Sequence, residues 1–333
     1  MALFYRKNTP TLDKYFSGPM GRRIALGPFA TQKRPIVRIG PNSFFCHDQV
    51  TIVRYATAKE LVRIKSLHPV QVSYLIDDDL ACLDDDISLP KDYVVRMKRF
   101  TQDYLPEIMS VADTVIAPNR EILRSYSAKA CFVLEPSYTE LCRVFSHFNK
   151  PNQIRIVYMG TRSHLQDLDF LSEVIQSICR QNKNVLFTTF LGKHAPAAIK
   201  NLRNVENRPP MGWGAFQRVL KRERFHLAVA PSLDTPFNRA RSINKVLDHA
   251  AVGAAGLYSS CSPAAAVVKN GRDGMLLEND PQVWRLELER LITEPDRMRQ
   301  VAVGGMELSA QIGDPARVRM FWEKRFDLAS SET

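Results

Sequence analysis

The sequence predicts an α/β protein of two domains, each a parallel sheet flanked by helices, facing each other across a cleft. Three observations carry this expectation. Short apolar runs alternate with stretches of helical spacing along most of the chain, the pattern of strand–helix–strand units. The alternation is interrupted by one polar stretch, FSHFNKPNQ at 145–153, and then restarts more cleanly. The length, 333 residues, suits two cores at roughly 100–200 residues per domain. These place a first domain at 1–150 and a second at 151–312, with a final helix at 313–333 expected to pack back toward the first.

The elements follow in order. Residues 1–35 lack clear periodicity and contain Pro10, Gly18, Pro19, Gly21, Gly27 and Pro28, so they read as an irregular arm over the surface. Strands are expected at 36–39, at 50–55 (VTIVRY) and at 70–76 (VQVSYLI), with a helix at 57–67 between the last two. A long helix over 91–111, interrupted at Pro106, leads to the strand DTVIA at 113–117 and a short helix after Asn119; residues 130–134 close the set. In the second half, strands are expected at 154–159, 185–191, 227–230, 255–259 and 275–277. Helices are expected at 167–180, 213–220, 243–252, 281–292, 295–308 and 315–328. Pro281, Pro295 and Pro315 stand at helix entries, where the missing N–H costs nothing.

Hydrophobic residues make up 45% and charged residues 24%, an ordinary globular balance that excludes wholesale disorder. No apolar run approaches the ~18–20 residues of a membrane span. Six scattered cysteines without C-x-x-C spacing read as reduced thiols of a cytoplasmic protein. The net charge of +11 suggests a polyanionic partner. The cations are dispersed and not interleaved with aromatics, which argues against nucleic acid and leaves peripheral contact with the anionic inner face of a membrane. P-loop, G-x-G-x-x-G, H-E-x-x-H and G-x-S-x-G motifs are absent.

Three constellations could carry chemistry. In VAPSLDTPFNRARSINKVLDHAAVG (229–253) a strand ends in Pro231-Ser232, and a helix begins near Arg241-Ser242 and runs past Lys245 and Asp248 to Gly253. Arg241 and Lys245, four apart, share a helix face near its positive end, which suits a diphosphate; the alternative is a merely basic surface helix. In YMGTRSHLQDLD (158–169) a strand delivers Gly160, Thr161, Arg162 and His164 to a loop, where Gly160 would let backbone approach a ligand. In the third, Asp77-Asp78-Asp79 follows VQVSYLI, with Asp84-Asp85-Asp86 behind; it reads either as a divalent-cation clamp or as a cap and turn cluster.

Together, LAVAPS, TPFN, the cationic helix ending LDHAAVG, the strand AAGLYSS and VVKNGRDGMLLEND (through Glu278) resemble the C-terminal domain of GT-B glycosyltransferases, particularly the retaining family-4 group. The likeness is specific over about residues 154–295 and looser before. It implies two Rossmann-like domains and retaining, metal-independent sugar transfer in surface polysaccharide or glycoconjugate biosynthesis. The nucleotide-sugar donor would be a co-substrate, with no cofactor, and the acceptor a glycan or lipid-linked molecule. Carried over, Arg162 and Lys245, with Arg241, become diphosphate ligands. Asp248 stands where the family carries a ribose-binding Glu. Gly160, Thr161, His164, Asn238 and Ser242 line the donor, and Arg54, Asp77 and Asp78 become acceptor-side candidates. A catalytically degenerate sugar-nucleotide-binding or scaffolding module is the alternative implied.

Overall fold

The computed structural model describes residues 9–83, 86, 88–138, 140–149 and 151–328. Two six-stranded sheets organise them. The first holds β1 (Val37–Arg38), β2 (Ser43–Cys46), β3 (Gln49–Val53), β4 (Gln71–Leu75), β5 (Thr114–Ala117) and β6 (Ala130–Val133), in that spatial order. β3 to β6 run parallel, whereas β1–β2 and β2–β3 pair antiparallel, so this sheet is mixed. β2 was not expected: SFFC is too short to show a period, and its place is set by pairing with VTIV of β3.

The second sheet is wholly parallel, in the order β12-β11-β10-β7-β8-β9. Its strands are β7 (Ile154–Tyr158), β8 (Val185–Thr189), β9 (Val205–Asn207), β10 (Leu227–Ala230), β11 (Ala255–Ser259) and β12 (Met275–Leu277). β10 and β11 are buried at every position and β7 at all but Arg155, because helices cover both faces; this is why they read as near-continuous apolar runs. The order reverses between β7 and β10, which opens a crevice at their carboxyl ends.

Local signals explain most helices. Thr57 and Glu60 form a reciprocal capping box at the start of Ala58–Ser66. Asp280 and Asp314 cap Pro281–Thr293 and Pro315–Arg325, each with Pro in the first turn. The 91–111 stretch breaks at Tyr104, and Pro106 lies in the first turn of the second piece, Leu105–Val111.

The N-terminal arm departs most from expectation. Residues 10–23 wind through consecutive helical turns, and Leu12, Tyr15, Phe16 and Met20 are buried. Gly18, Pro19 and Gly21 hid a four-residue apolar spacing at 12, 16 and 20. These side chains join Phe44, Leu75 and Ile116 of the first sheet and Val318, Trp322 and Phe326 of the final helix in one core. Trp322 Nε1 donates to the Tyr15 carbonyl at 2.6 Å, and Arg325 reaches Ser73 and Thr114 at 2.7 and 2.8 Å. The C-terminal helix therefore lies on the N-terminal sheet. Among the described residues no helix is long and apolar enough to cross a membrane.

Candidate functional site

The crevice between β7 and β10 holds a pocket that opens to solvent. Tyr158, His164 and Asp167 line it from the β7 side, Pro231, Ser232 and Asn238 from the loop after β10, and Arg241, Ser242 and Lys245 from the entry to the helix Asn244–Ala251. The two cations predicted to flank a helix N-terminus are thus brought to the switch point of the sheet. Lys245 Nζ donates to the carbonyl of Met159. Burial pulls its pKa down to about 8, against the pull of Asp248 in the opposite direction. Arg241 lies over the ring of Phe237, 5.2 Å from its centroid, and 3.9 Å from Asp78 of the other domain.

His164 ends a 3₁₀ turn, Arg162–His164, that turns this ring inward and Arg162 outward. Its Nδ1 lies 3.0 Å from Asp167 Oδ2. Burial, then the charge of Arg241, hold its pKa near 4, so the ring is neutral at pH 7. The same Nδ1 lies 3.3 Å from Arg241 Nη1, so this nitrogen meets both a carboxylate acceptor and a guanidinium donor. Asp167 Oδ1 accepts from Leu233 N at 2.8 Å and from Asn238 Nδ2 at 3.0 Å, tying the β7 loop to the β10 loop. Asn238 is buried in that role and also donates to the Leu233 carbonyl at 3.0 Å.

The remaining predicted residues lie around this pocket. Gly160 backs against Tyr158, and a Cβ there would come within 2.2 Å of the phenol. Its lack of a side chain thus admits a buried ring of this chain. Thr161 is exposed beside Ser163, with 2.8 Å between hydroxyls. Arg162, its side chain 46% exposed, pairs across the cleft with Asp92 at 3.1 Å. Asp248 is buried further along the helix, 2.6 Å from Lys14 Nζ. Lys14 in turn sits between the rings of Tyr138 and Trp213, at 5.3 and 5.6 Å.

Arg54, Asp77 and Asp78 converge at the carboxyl ends of β3 and β4. Arg54 pairs with Asp77 at 2.6 Å and with Asp78, while Thr11 donates to Asp77 at 2.5 Å and Tyr93 to Asp78 at 3.3 Å. Burial opposes the charge on Asp78, but Arg54 and Arg241 outweigh it and hold that carboxyl below the usual range. Asp79 caps the following turn through Ala81 N at 3.0 Å. Asp84 and Asp85 lie outside the described residues. Among the described residues no three His, Cys, Asp or Glu side chains gather at a metal-sized site.

The domains are locked together beside the pocket. Phe237 and Ala240, from the loop after β10, pack into the core of the first domain. Asn119 Nδ2 donates to the carbonyls of Ala240 and Arg241 at 2.7 and 3.1 Å. Sequence reasoning missed Lys14, Trp213, Tyr158 and the pivotal role of Asp167. The signal for Lys14 was weak: a lone cation inside an apolar spacing.

No protein-family model matches the chain, and no curated protein matches it in sequence. Solved structures do match. Sucrose-phosphate synthase of Thermosynechococcus elongatus aligns at 12% identity and TM-score 0.60, covering 84% of this chain and 73% of that one. HepE of Anabaena, in complex with UDP and glucose, aligns at 13% and 0.58, covering 83% and 77%. TarM of S. aureus, in a complex that includes UDP, aligns at 13% and 0.55 over 77% of this chain, which spans about half (51%) of that protein. At such identities the likeness is one of fold, and the fold is the GT-B architecture of two Rossmann-like domains facing each other across a cleft.

Proposed function

We propose that this chain is a glycosyltransferase that moves a sugar from a nucleotide-diphosphate donor to a glycan or lipid-linked acceptor. The reading extends to retention of configuration, no requirement for a metal, and work in surface polysaccharide or glycoconjugate synthesis at the inner face of a cytoplasmic membrane. The observation that carries it is the placement of Arg241 and Lys245 at a helix N-terminus on the switch point of a parallel sheet. A departing nucleotide diphosphate gains negative charge, and fixed cations with helix N–H groups stabilise that charge where it develops. His164, neutral and held between Asp167 and Arg241, would offer its ring to a sugar hydroxyl. Arg54, Asp77 and Asp78 face the cleft from the acceptor side, and Arg241 couples them to the donor side.

A module that binds a sugar nucleotide without turning it over is the second reading. It is favoured by the commitment of Asp248 to Lys14. Thermal shift against UDP, GDP, ADP, CMP and TDP and their common sugars, with and without Mg²⁺, tests the donor site. A ligand at about 100 times its Kd adds about 2.7 kcal/mol of stability. Lys245→Ala and Arg241→Ala should each abolish the shift; nucleotide binding undiminished in both would move the donor site elsewhere. Slow hydrolysis of the bound nucleotide sugar without acceptor separates the enzyme from the module.

A further inference from the structure

From Lys14 to His47 the chain holds six Lys and Arg residues and no Asp or Glu. Within this stretch it leaves the first domain at Ile24 and returns at Ile36. The base of the excursion is closed by a bridge between those two residues, with Ala25 N–H donating to Ile36 O at 2.7 Å and Ile36 N–H to Arg23 O at 3.2 Å. The return limb is set by reciprocal backbone bonds between Thr31 and Arg34, both 3.0 Å, and Arg34 Nη1 donates to the Ile24 carbonyl at 3.0 Å. On this braced loop Leu26 is 91% exposed and Phe29 80%. Arg22 and Lys33 are exposed on the two limbs, while Arg23 is drawn to Glu323.

A loop whose backbone is pinned at its base, yet whose two large apolar side chains reach no core, contributes little to the fold with that tip. Its chemistry fits a surface that is apolar within and anionic without. Apolar side chains entering the acyl boundary, flanked by cations at the headgroups, are the elements of interfacial attachment. A protein partner would need about 800 Å² of its own contact, far more than a two-residue tip offers.

We propose that the loop spanning residues 24–36 is a membrane-docking element. Leu26 and Phe29 enter an anionic bilayer, and Arg22 and Lys33 lie against its phosphates. This gives the membrane contact advanced above a surface, and it stands apart from the donor-site reading, because vesicle binding tests one and nucleotide binding the other.

The experiment is co-sedimentation of the full chain with vesicles of phosphatidylcholine alone or mixed with phosphatidylglycerol. Wild type should bind the mixed vesicles, bind the neutral ones weakly, and release as salt rises. Leu26→Ser/Phe29→Ser should lower partitioning at least about tenfold, and each of Arg22→Glu and Lys33→Glu about fivefold or more. All variants should keep the wild-type melting temperature and nucleotide shift. Binding by the double serine variant equal to wild type, or no binding by wild type to either vesicle, overturns the proposal. So does a wild-type dimer in sedimentation equilibrium without lipid that the double serine variant converts to monomer, which would assign the tip to self-association.

Discussion

The buried pair between Lys14 and Asp248 joins positions 234 apart in sequence at 2.6 Å, with side chains 2% and 9% exposed. Lys14→Met keeps the apolar stem between Tyr138 and Trp213 but leaves the Asp248 carboxylate buried without its partner. Breaking such a pair from one side costs about 3–5 kcal/mol, whereas replacing both partners by apolar residues is often near neutral. Lost attraction between the ammonium and the two rings adds about 1 kcal/mol. We therefore expect Lys14→Met to cost about 4–6 kcal/mol, and Lys14→Met/Asp248→Leu to cost several kcal/mol less than the two single changes summed. Urea unfolding followed by tryptophan fluorescence is the assay, since Trp213 lies against Lys14 and donates to Asp13 at 3.0 Å. A cost for Lys14→Met below about 1 kcal/mol, or an additive cycle, would refute the argument that this pair is dry and mutually dependent.

Two further outcomes depend on pH. Lys245 titrates near 8 because burial disfavours its charge, so affinity for a nucleoside diphosphate should fall as pH rises through about 8. Calorimetry in buffers of different ionisation heat should show proton uptake on binding at pH 8.5 that Lys245→Met removes; binding independent of pH from 7 to 9.5 would contradict this. Burial also holds His147 and His164 near pKa 4 in the folded chain, against about 6.5 unfolded. Depressed pKa values mean stability that is full above pH 6.5 and is lost as pH falls toward 4. The urea midpoint should therefore drop between pH 7 and pH 4.5, and an unchanged midpoint would count against these neutral, buried rings.

The sequence by itself determined the second sheet and the helix that carries the pocket. IRIVY, LAVA and AGLYS are buried runs of strand length, and the helix 244–251 is closed by Gly253, whose φ of 69° suits glycine. Arg241, Ser242 and Lys245 were therefore legible as a cationic helix entry, and His164 as a neighbour on the adjacent strand-end loop. Tertiary structure decided what those elements meet. A single 3₁₀ turn sends His164 into the pocket and Arg162 out to Asp92 across the cleft, a choice between adjacent side-chain directions that residue type does not encode. The arm read as a surface segment because its glycines and prolines mask its period, yet Thr11 reaches Asp77 and Lys14 reaches Asp248, one in each domain. Propensity and periodicity act over a few residues and can be read locally. The partner of a buried charge is settled by where distant parts of the chain cross, because a dry carboxylate must find a cation wherever the fold has brought one.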